Sequence, residues 1–486
     1  MPTQSASERD AEDLRKMGYA QELFRQMGGF SNFAISFSVI SILTGAIQLY
    51  GYGLQHGGPL VMTVGWWLVS VFTMSVALSM AELASAYPTA GALYHWSSIL
   101  GGKAIGWFTA CFNTIGQFAI LAGIDYGLAL LLRGYLKLPP DKSVTMALYA
   151  ALLLSHATLN HFGIRVVAWL NNFSAWYHIA VVALVLVALL SKGLAQPASF
   201  LLTPYSTDSF PYPYSFLLGL LLAQWTLTGY DASAHVCEET IDPRRRAPWG
   251  IFLSVAISVV AGAAMISVIT LSIPNLPEAA KLGDDAFTGI LRMRLGEGLG
   301  NAVVGLVLGA MWLCGVSSLT SASRMVYAFA RDGGLPWSSG LARVSPKHRT
   351  PSNAIWLLAF VALLISVKVE LYSAIVSIAT IALYVSYGLP IAAGLYARGR
   401  GTWSTKGPWN LGRLSPVIAC VAMLWIVFII GVFVLPPNEQ AGQIMAACTV
   451  ALTIAWFGFV RSRFPGPRVT IQHYEDEPAL ASATPQ

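Results

Sequence analysis

Residues 30–52, 250–273 and 414–436 contain no Asp, Glu, Lys or Arg. Each is longer than the roughly 18–20 apolar residues with which a helix crosses a hydrocarbon layer about 30 Å thick. Inside that layer every backbone N–H and C=O must be paired within the chain, so only helices and closed barrels can span it. A barrel would show alternating segments of about ten residues, and these stretches are continuous. Charged residues make up only 11% of the 486 positions, and hydrophobic residues 55%. Soluble proteins average about 25% charged. The sequence therefore predicts one all-α integral membrane unit.

Twelve apolar spans are expected, at about 30–52, 60–84, 103–132, 143–161, 166–191, 214–240, 250–273, 299–330, 351–367, 371–396, 414–435 and 441–460. Of the 29 lysines and arginines, 21 fall on connections of the same parity as the N-terminus and eight on the others. The positive-inside rule then places both termini in the cytoplasm. The net charge of +6 is explained by this topology, and no nucleic-acid partner is expected. Residues 1–29 form a polar N-terminal tail without the pattern of a cleavable signal. Residues 464–486 form a polar C-terminal tail, expected to be disordered. The five cysteines are scattered through apolar segments without a CxxC, so neither disulfides nor a structural metal site is expected.

Two spans are interrupted by similar polar, glycine-bearing sequences, "ILTGAI" in the first and "TLTGYDASAH" in the sixth. Both are predicted to break at the Thr-Gly. An offset of five spans gives the two segments opposite orientations. Paired glycine-interrupted spans in two halves are the sequence mark of an inverted-repeat transporter. The repeats would be residues 30–191 and 214–396, joined by an outside loop at 192–213, with two extra helices in 397–463. An unwound helix in lipid leaves backbone groups unpaired at several kcal/mol each. Such a break persists where it lines a cavity and meets a polar ligand. Free N–H groups at a half-helix start favour a carboxylate, and free C=O groups at a half-helix end favour a cation. The alternative is that Gly and Thr serve close helix packing.

Asp231 weighs against packing alone, because a carboxylate within a membrane span is costly and functional by default. It could cap the second half-helix, bind an amine or carry a proton. His178 in the fifth span could carry a coupling proton, or be a neutral histidine bonded to a backbone carbonyl. Asn113, Gln117 and Asp125 in the third span could face the cavity or hold helices together. Ser317, Ser318 and Thr320 in the eighth could give oxygens to an ion or allow close packing. Glu238 and Glu239 are expected to pair with the basic run Arg244–Arg246 as a structural or gating contact. Trp225 and Tyr230 flank the second break, where their rings could cover an ammonium. No Walker loop, HExxH or GxSxG is present. No enzyme activity and no cofactor are expected.

Four stretches resemble the amino acid–polyamine–organocation permeases, in their amino acid–choline branch: "FSVISILTGAIQLYGYGLQHGGP", "AELASAYPTAGALYHW", "WTLTGYDASAHVCEET" and "SASRMVYAFARDGGLP". The resemblance implies the leucine-transporter fold, with a five-plus-five inverted repeat and broken helices one and six. It implies alternating-access transport of an amino acid, 4-aminobutyrate, choline or a related amine. It places substrate contacts at Ser41, Leu43, Thr44, Gly45, Thr228, Gly229, Tyr230 and Asp231. It also sets His178 near the position where a basic residue replaces sodium in some proton-coupled relatives.

The expected function is secondary transport of a small amino acid or amine across the cell's plasma membrane. Coupling would be to protons or another ion such as sodium, with His178, Ser317 and Ser318 as coupling candidates. The alternative from another class is a non-transporting sensor or assembly subunit on the same scaffold.

Overall fold

The computed structural model describes residues 6–162, 164–368, 372–403 and 405–467, and over these the regular structure is helical apart from a single β-bridge between Met27 and Thr240. Continuous apolar sequence satisfies its own backbone only as helix. The uncharged stretches accordingly lie in long helices. After α1 (Ala6–Lys16), the first span is split into α2 (Gly29–Ile40) and α3 (Ile42–His56). Then come α4 (Trp66–Ala86), a short α5 (Leu93–Gly101), α6 (Lys103–Tyr135), α7 (Lys142–Phe162) and α8 (Ile164–Ser191). The sixth span is broken into α9 (Tyr212–Gly219), α10 (Leu221–Thr226) and α11 (Ala232–His235). It is followed by α12 (Pro243–Leu271), α13 (Ala286–Arg331), α14 (Ser352–Lys368), α15 (Tyr372–Gly399), α16 (Ser415–Val434) and α17 (Glu439–Ala455).

Among the described residues nine helical segments are long and apolar enough to cross a membrane. The expected fourth, sixth and ninth spans correspond to α7, to the pieces α9–α11 and to α14, which are more polar, broken or shorter. One connection differs from expectation. Much of residues 274–298 is helical, because α13 begins at Ala286 and bends at Gly296, whose φ of 79° only glycine adopts without strain. Within the predicted C-terminal tail, residues 468–486 lie outside the described residues, as do residues 369–371, which include the first residue of the expected tenth span.

The broken first span is the most enclosed element: its apolar window is wholly buried, against 11% for the last helix. Helix α3 is packed by α10 and α13, α2 by α8 and α12, and α15 lies along α6. The outer surface shows large apolar side chains such as Val71, Trp169, Trp176, Leu424, Val427 and Phe457. An exposed apolar exterior of this extent fits lipid rather than water. Polar side chains are turned inward, where Asn32, Ser36, Asp125, His178 and Asp231 are all buried.

Candidate functional site

The first break falls at Ser41, not at the Thr-Gly that follows it. Ser41 has φ 35°, in the left-handed region, and separates α2 from α3. Leu43, Thr44 and Gly45 instead form the first turn of α3. A serine there can do what a glycine cannot: its Oγ accepts from Thr44 N at 3.3 Å and so caps the new helix. The same Oγ lies 2.6 Å from the Thr44 hydroxyl and 2.7 Å from His178 Nε2. His178 Nδ1 lies 2.8 Å from the Ser174 carbonyl, which can only accept. The Nδ1 therefore carries a proton. In the neutral ring Nε2 accepts from the Ser41 hydroxyl, whose Oγ in turn accepts a hydrogen bond from the Thr44 hydroxyl. His178 is thus both bonded to a backbone carbonyl and aimed at the break.

The second break covers Leu227–Asp231. Gly229 has φ 98°, and a Cβ there would lie 2.4 Å from Val39 Cγ1. A Cβ on Gly45 would lie 2.1 Å from Thr226 Oγ1. The two interrupted spans therefore touch on both sides of their breaks, and each glycine permits that approach. Residues not singled out from the sequence stitch them together. Ser36 Oγ donates to the Tyr230 carbonyl at 2.9 Å and accepts from Ser233 N at 2.8 Å. Asn32 Nδ2 donates to the Ser233 carbonyl at 2.9 Å. These bonds serve backbone groups that unwinding would otherwise leave unpaired. Their signal was one of spacing: Asn32 and Ser36 are four apart and share a helix face.

Asp231 precedes α11, but its side chain makes no capping bond. Its carboxylate receives Tyr387 OH at 2.8 Å, Gln117 Nε2 at 3.2 Å and Asn113 Nδ2 at 3.3 Å, with His235 Nε2 at 3.2 Å. Asn113 and Gln117 thus hold helices together through Asp231. The Thr228 hydroxyl donates back to the Gln224 carbonyl within its own segment. The Tyr230 hydroxyl is buried without a hydrogen-bond partner among the described residues, and its ring lies 5.2 Å from that of Tyr387. Ser317 Oγ lies 2.7 Å from Asn171 Oδ1 on α8, while Ser318 Oγ is buried without a hydrogen-bond partner among the described residues. The Cys314 thiol meets the Val39 carbonyl at 3.4 Å, just before the first break.

The two ends of this site differ. On the face that carries the N-terminal segment, Glu238 and Glu239 are paired, among the described residues, with arginines other than the expected Arg244–Arg246. Arg331 forks onto both oxygens of Glu238 at 2.9 and 3.0 Å, and Arg324 Nε meets Glu239 Oε1 at 2.6 Å. Arg324 and Arg331 stand four and eleven residues after Thr320 on α13, so the partners come from a helix rather than from the adjacent loop. Tyr19 OH donates to Asp332 Oδ2 at 2.9 Å, and the Arg331 guanidinium lies 4.0 Å above the Tyr19 ring. That face is closed. Toward the opposite face a cavity of about 190 Å3 is lined by Ile47, Gln48, Gly127, Asp284, Asp285 and Tyr372. Between cavity and break stands Trp225, packed against Gly123 with its indole N–H 3.4 Å from Gln48 Oε1.

Comparison with known proteins follows the same line. A family model described as amino acid permease matches residues 27–456. A protein of Oryza sativa subsp. japonica described as "Amino-acid permease BAT1 homolog" is 40% identical, over 87% of each chain. The Arabidopsis thaliana "Amino-acid permease BAT1" is 37% identical, over 93% of this chain and 95% of its own. A "GABA-specific permease" of Saccharomyces cerevisiae is 28% identical, over 92% of this chain and 81% of its own.

Proposed function

Since the chain belongs to the amino acid permease family, and is a multi-pass membrane transporter rather than an enzyme, we propose that it carries a small amino acid or related amine across the plasma membrane by alternating access. The observation that carries this is the meeting of the two breaks. The start of α3 leaves its first amides without intrahelical partners, and the end of α10 leaves carbonyls likewise. A carboxylate at the first and an ammonium at the second would each find complementary dipoles. A zwitterion or an ω-amino acid fits that pair of poles. The yeast relative named for 4-aminobutyrate supports including that compound in the substrate class.

In this reading twelve crossings form two five-helix inverted repeats, residues 30–191 and 214–396, with two further helices in 397–463. Both termini are cytoplasmic, so the face sealed by Arg331 and Glu238 is the inner one. The coupling ion is a proton. His178 touches the capping hydroxyl of the first break, so charging its ring forces Ser41 Oγ from donor to acceptor and rearranges the cap on α3. Ser317 and Ser318 complete the wall behind it, and Asp231 fixes the second break between α6 and α15.

A thermal-shift screen of purified protein against amino acids, 4-aminobutyrate, choline and polyamines tests the site, because a ligand favouring the folded state raises its apparent stability. The expected result is a shift with an amino acid or amine that Thr44→Val and Asp231→Asn both diminish. A shift unchanged in both variants would remove the two breaks from substrate binding.

A further inference from the structure

A further buried ionisable pair lies away from the two breaks. Asp125 on α6 and His156 on α7 are both fully buried, with Asp125 Oδ2 2.9 Å from His156 Nδ1. The outer atoms of the pair, Asp125 Oδ1 and His156 Nε2, are buried without hydrogen-bond partners among the described residues. Among the described residues, neither has a hydrogen bond or ion pair to Ser41, His178 or Asp231. A carboxylate within a span is expensive and marks function by default. Two unsatisfied polar atoms raise that cost, which a purely structural pair would have no reason to retain.

We propose that Asp125 and His156 form a second membrane-embedded proton-binding site, separate from His178. With a carboxylate and a neutral imidazole the pair holds one proton and a net charge of −1. Uptake of one proton makes it neutral, either as carboxylate and imidazolium or as carboxylic acid and imidazole. The charged form is the one the apolar surroundings oppose. Among the described residues, the remaining titratable groups around the pair are uncharged in their ordinary forms. They are Cys314 on α13, Tyr149 on α7 and Tyr126 on α6. Tyr372 at the start of α15 lies within electrostatic reach of Asp284 and Cys314. Helix α14 presents the Ala362 carbonyl to the Tyr149 hydroxyl. The rings of His156 and Trp312 are 5.4 Å apart.

The pair is joined to the first break through α13. A Cβ on Gly315 would lie 2.4 Å from Asp125 Oδ1 and 2.4 Å from His156 Cε1, so the helix backbone rests directly on the pair. The adjacent Cys314 holds the Val39 carbonyl, two residues before Ser41. Asn160, one turn beyond His156, donates to the Val316 carbonyl at 3.2 Å and accepts from Thr320. A change in the charge of the pair therefore acts on the stretch of α13 that touches the break.

The role in transport rests on the proton-coupled reading above; proton binding itself does not. Infrared difference spectra between acidic and neutral pH, on purified full-length protein, read it directly. The expected result is a carboxyl signal that disappears in Asp125→Asn and an imidazole signal that disappears in His156→Gln. The carboxyl signal should also move to a different pH in His156→Gln. Spectra identical to wild type in either variant overturn the proposal. In proteoliposomes, both variants are expected to keep exchange of labelled substrate without a gradient while gradient-driven accumulation falls by about an order of magnitude. Equal loss of exchange and accumulation overturns the coupling role. If the wild-type protein accumulates nothing, the transport reading fails, and the infrared spectra still decide whether the pair binds a proton.

Discussion

Replacing Glu238 by Gln removes one charge from the best-formed contact on the closed face. The Glu238 side chain is fully buried and that of Arg331 only 9% exposed. Breaking such a pair by removing one partner costs about 3–5 kcal/mol, because the other charge stays buried and unpaired. Two contacts soften the loss: Arg331 retains the Tyr19 ring at 4.0 Å, and a glutamine oxygen can still accept from Ala90 N, now 3.2 Å from Glu238 Oε1. The lower end, about 3 kcal/mol, is therefore the expected cost to the closed state. Opening this face must part α13 from the segment after α11, so the open state, with both groups in water, is spared that cost. At about 1.4 kcal/mol per factor of ten, the equilibrium shifts toward opening by about 100-fold. Cys237 reports it, since its thiol is buried beside Glu238. Its labelling by an impermeant thiol reagent, followed at the peptide level in inside-out vesicles, should accelerate by about two orders of magnitude. The double variant Glu238→Gln with Arg331→Gln leaves no unpaired charge and should recover most of the protection. An unchanged rate in the single variant, or a double variant labelled as fast as the single, refutes the gate.

Asp231→Asn replaces an acceptor of four hydrogen bonds by a group that must turn a donor toward one of them. A loss of about 1.5–3 kcal/mol is expected, read as a lower unfolding temperature together with lost transport. Gly45→Ala drives a methyl into Thr226, whose hydroxyl is already bonded to the Leu222 carbonyl. Overpacking of this kind costs about 1–3 kcal/mol, and thermal unfolding should show it, whereas Gly431→Ala, in open space on α16, should be close to neutral. Burial pushes the Asp10 carboxyl above its usual range, outweighing its backbone bond from Asp242 N and the nearby Arg25. The docked N-terminal helix thus binds a proton more tightly than the undocked one. Its docking is favoured below the ordinary carboxyl range and loses that contribution as pH rises through the raised value. Protection of the α1 amides, taken as exchange relative to the intrinsic rate at each pH, should accordingly be greater at mildly acidic than at neutral pH, and Asp10→Asn should abolish that difference in protection.

The helical membrane class was legible because charge-free runs admit few alternatives. The two breaks were legible as a pair because glycine and a buried carboxylate are both unwelcome in the middle of a span. The position of the first break was not. Thr-Gly pointed to residues 44–45, yet Ser41 bends the chain, since its hydroxyl caps the helix that a left-handed residue starts. Gly45 is there for the close approach of Thr226 instead. The partners of Glu238 and Glu239 were misjudged because nearness in sequence favoured Arg244–Arg246. The true partners sit on α13, where two arginines near a helix end were counted only as topology signals. His156 went unnoticed beside Asp125 because the two are 31 residues apart on different helices, and only packing brings them together. The same holds for Tyr387 and Asp231.

The two broken spans are proposed to make one site through which an ion gradient drives an amino acid or amine. The most direct measurement is uptake of labelled amino acids, 4-aminobutyrate and choline into proteoliposomes with and without an imposed inward proton gradient. Accumulation of at least one of them above the external concentration is expected, abolished by dissipating the gradient and by Asp231→Asn. Binding of such a compound without any flux, under every gradient imposed, would contradict it and point to a sensor.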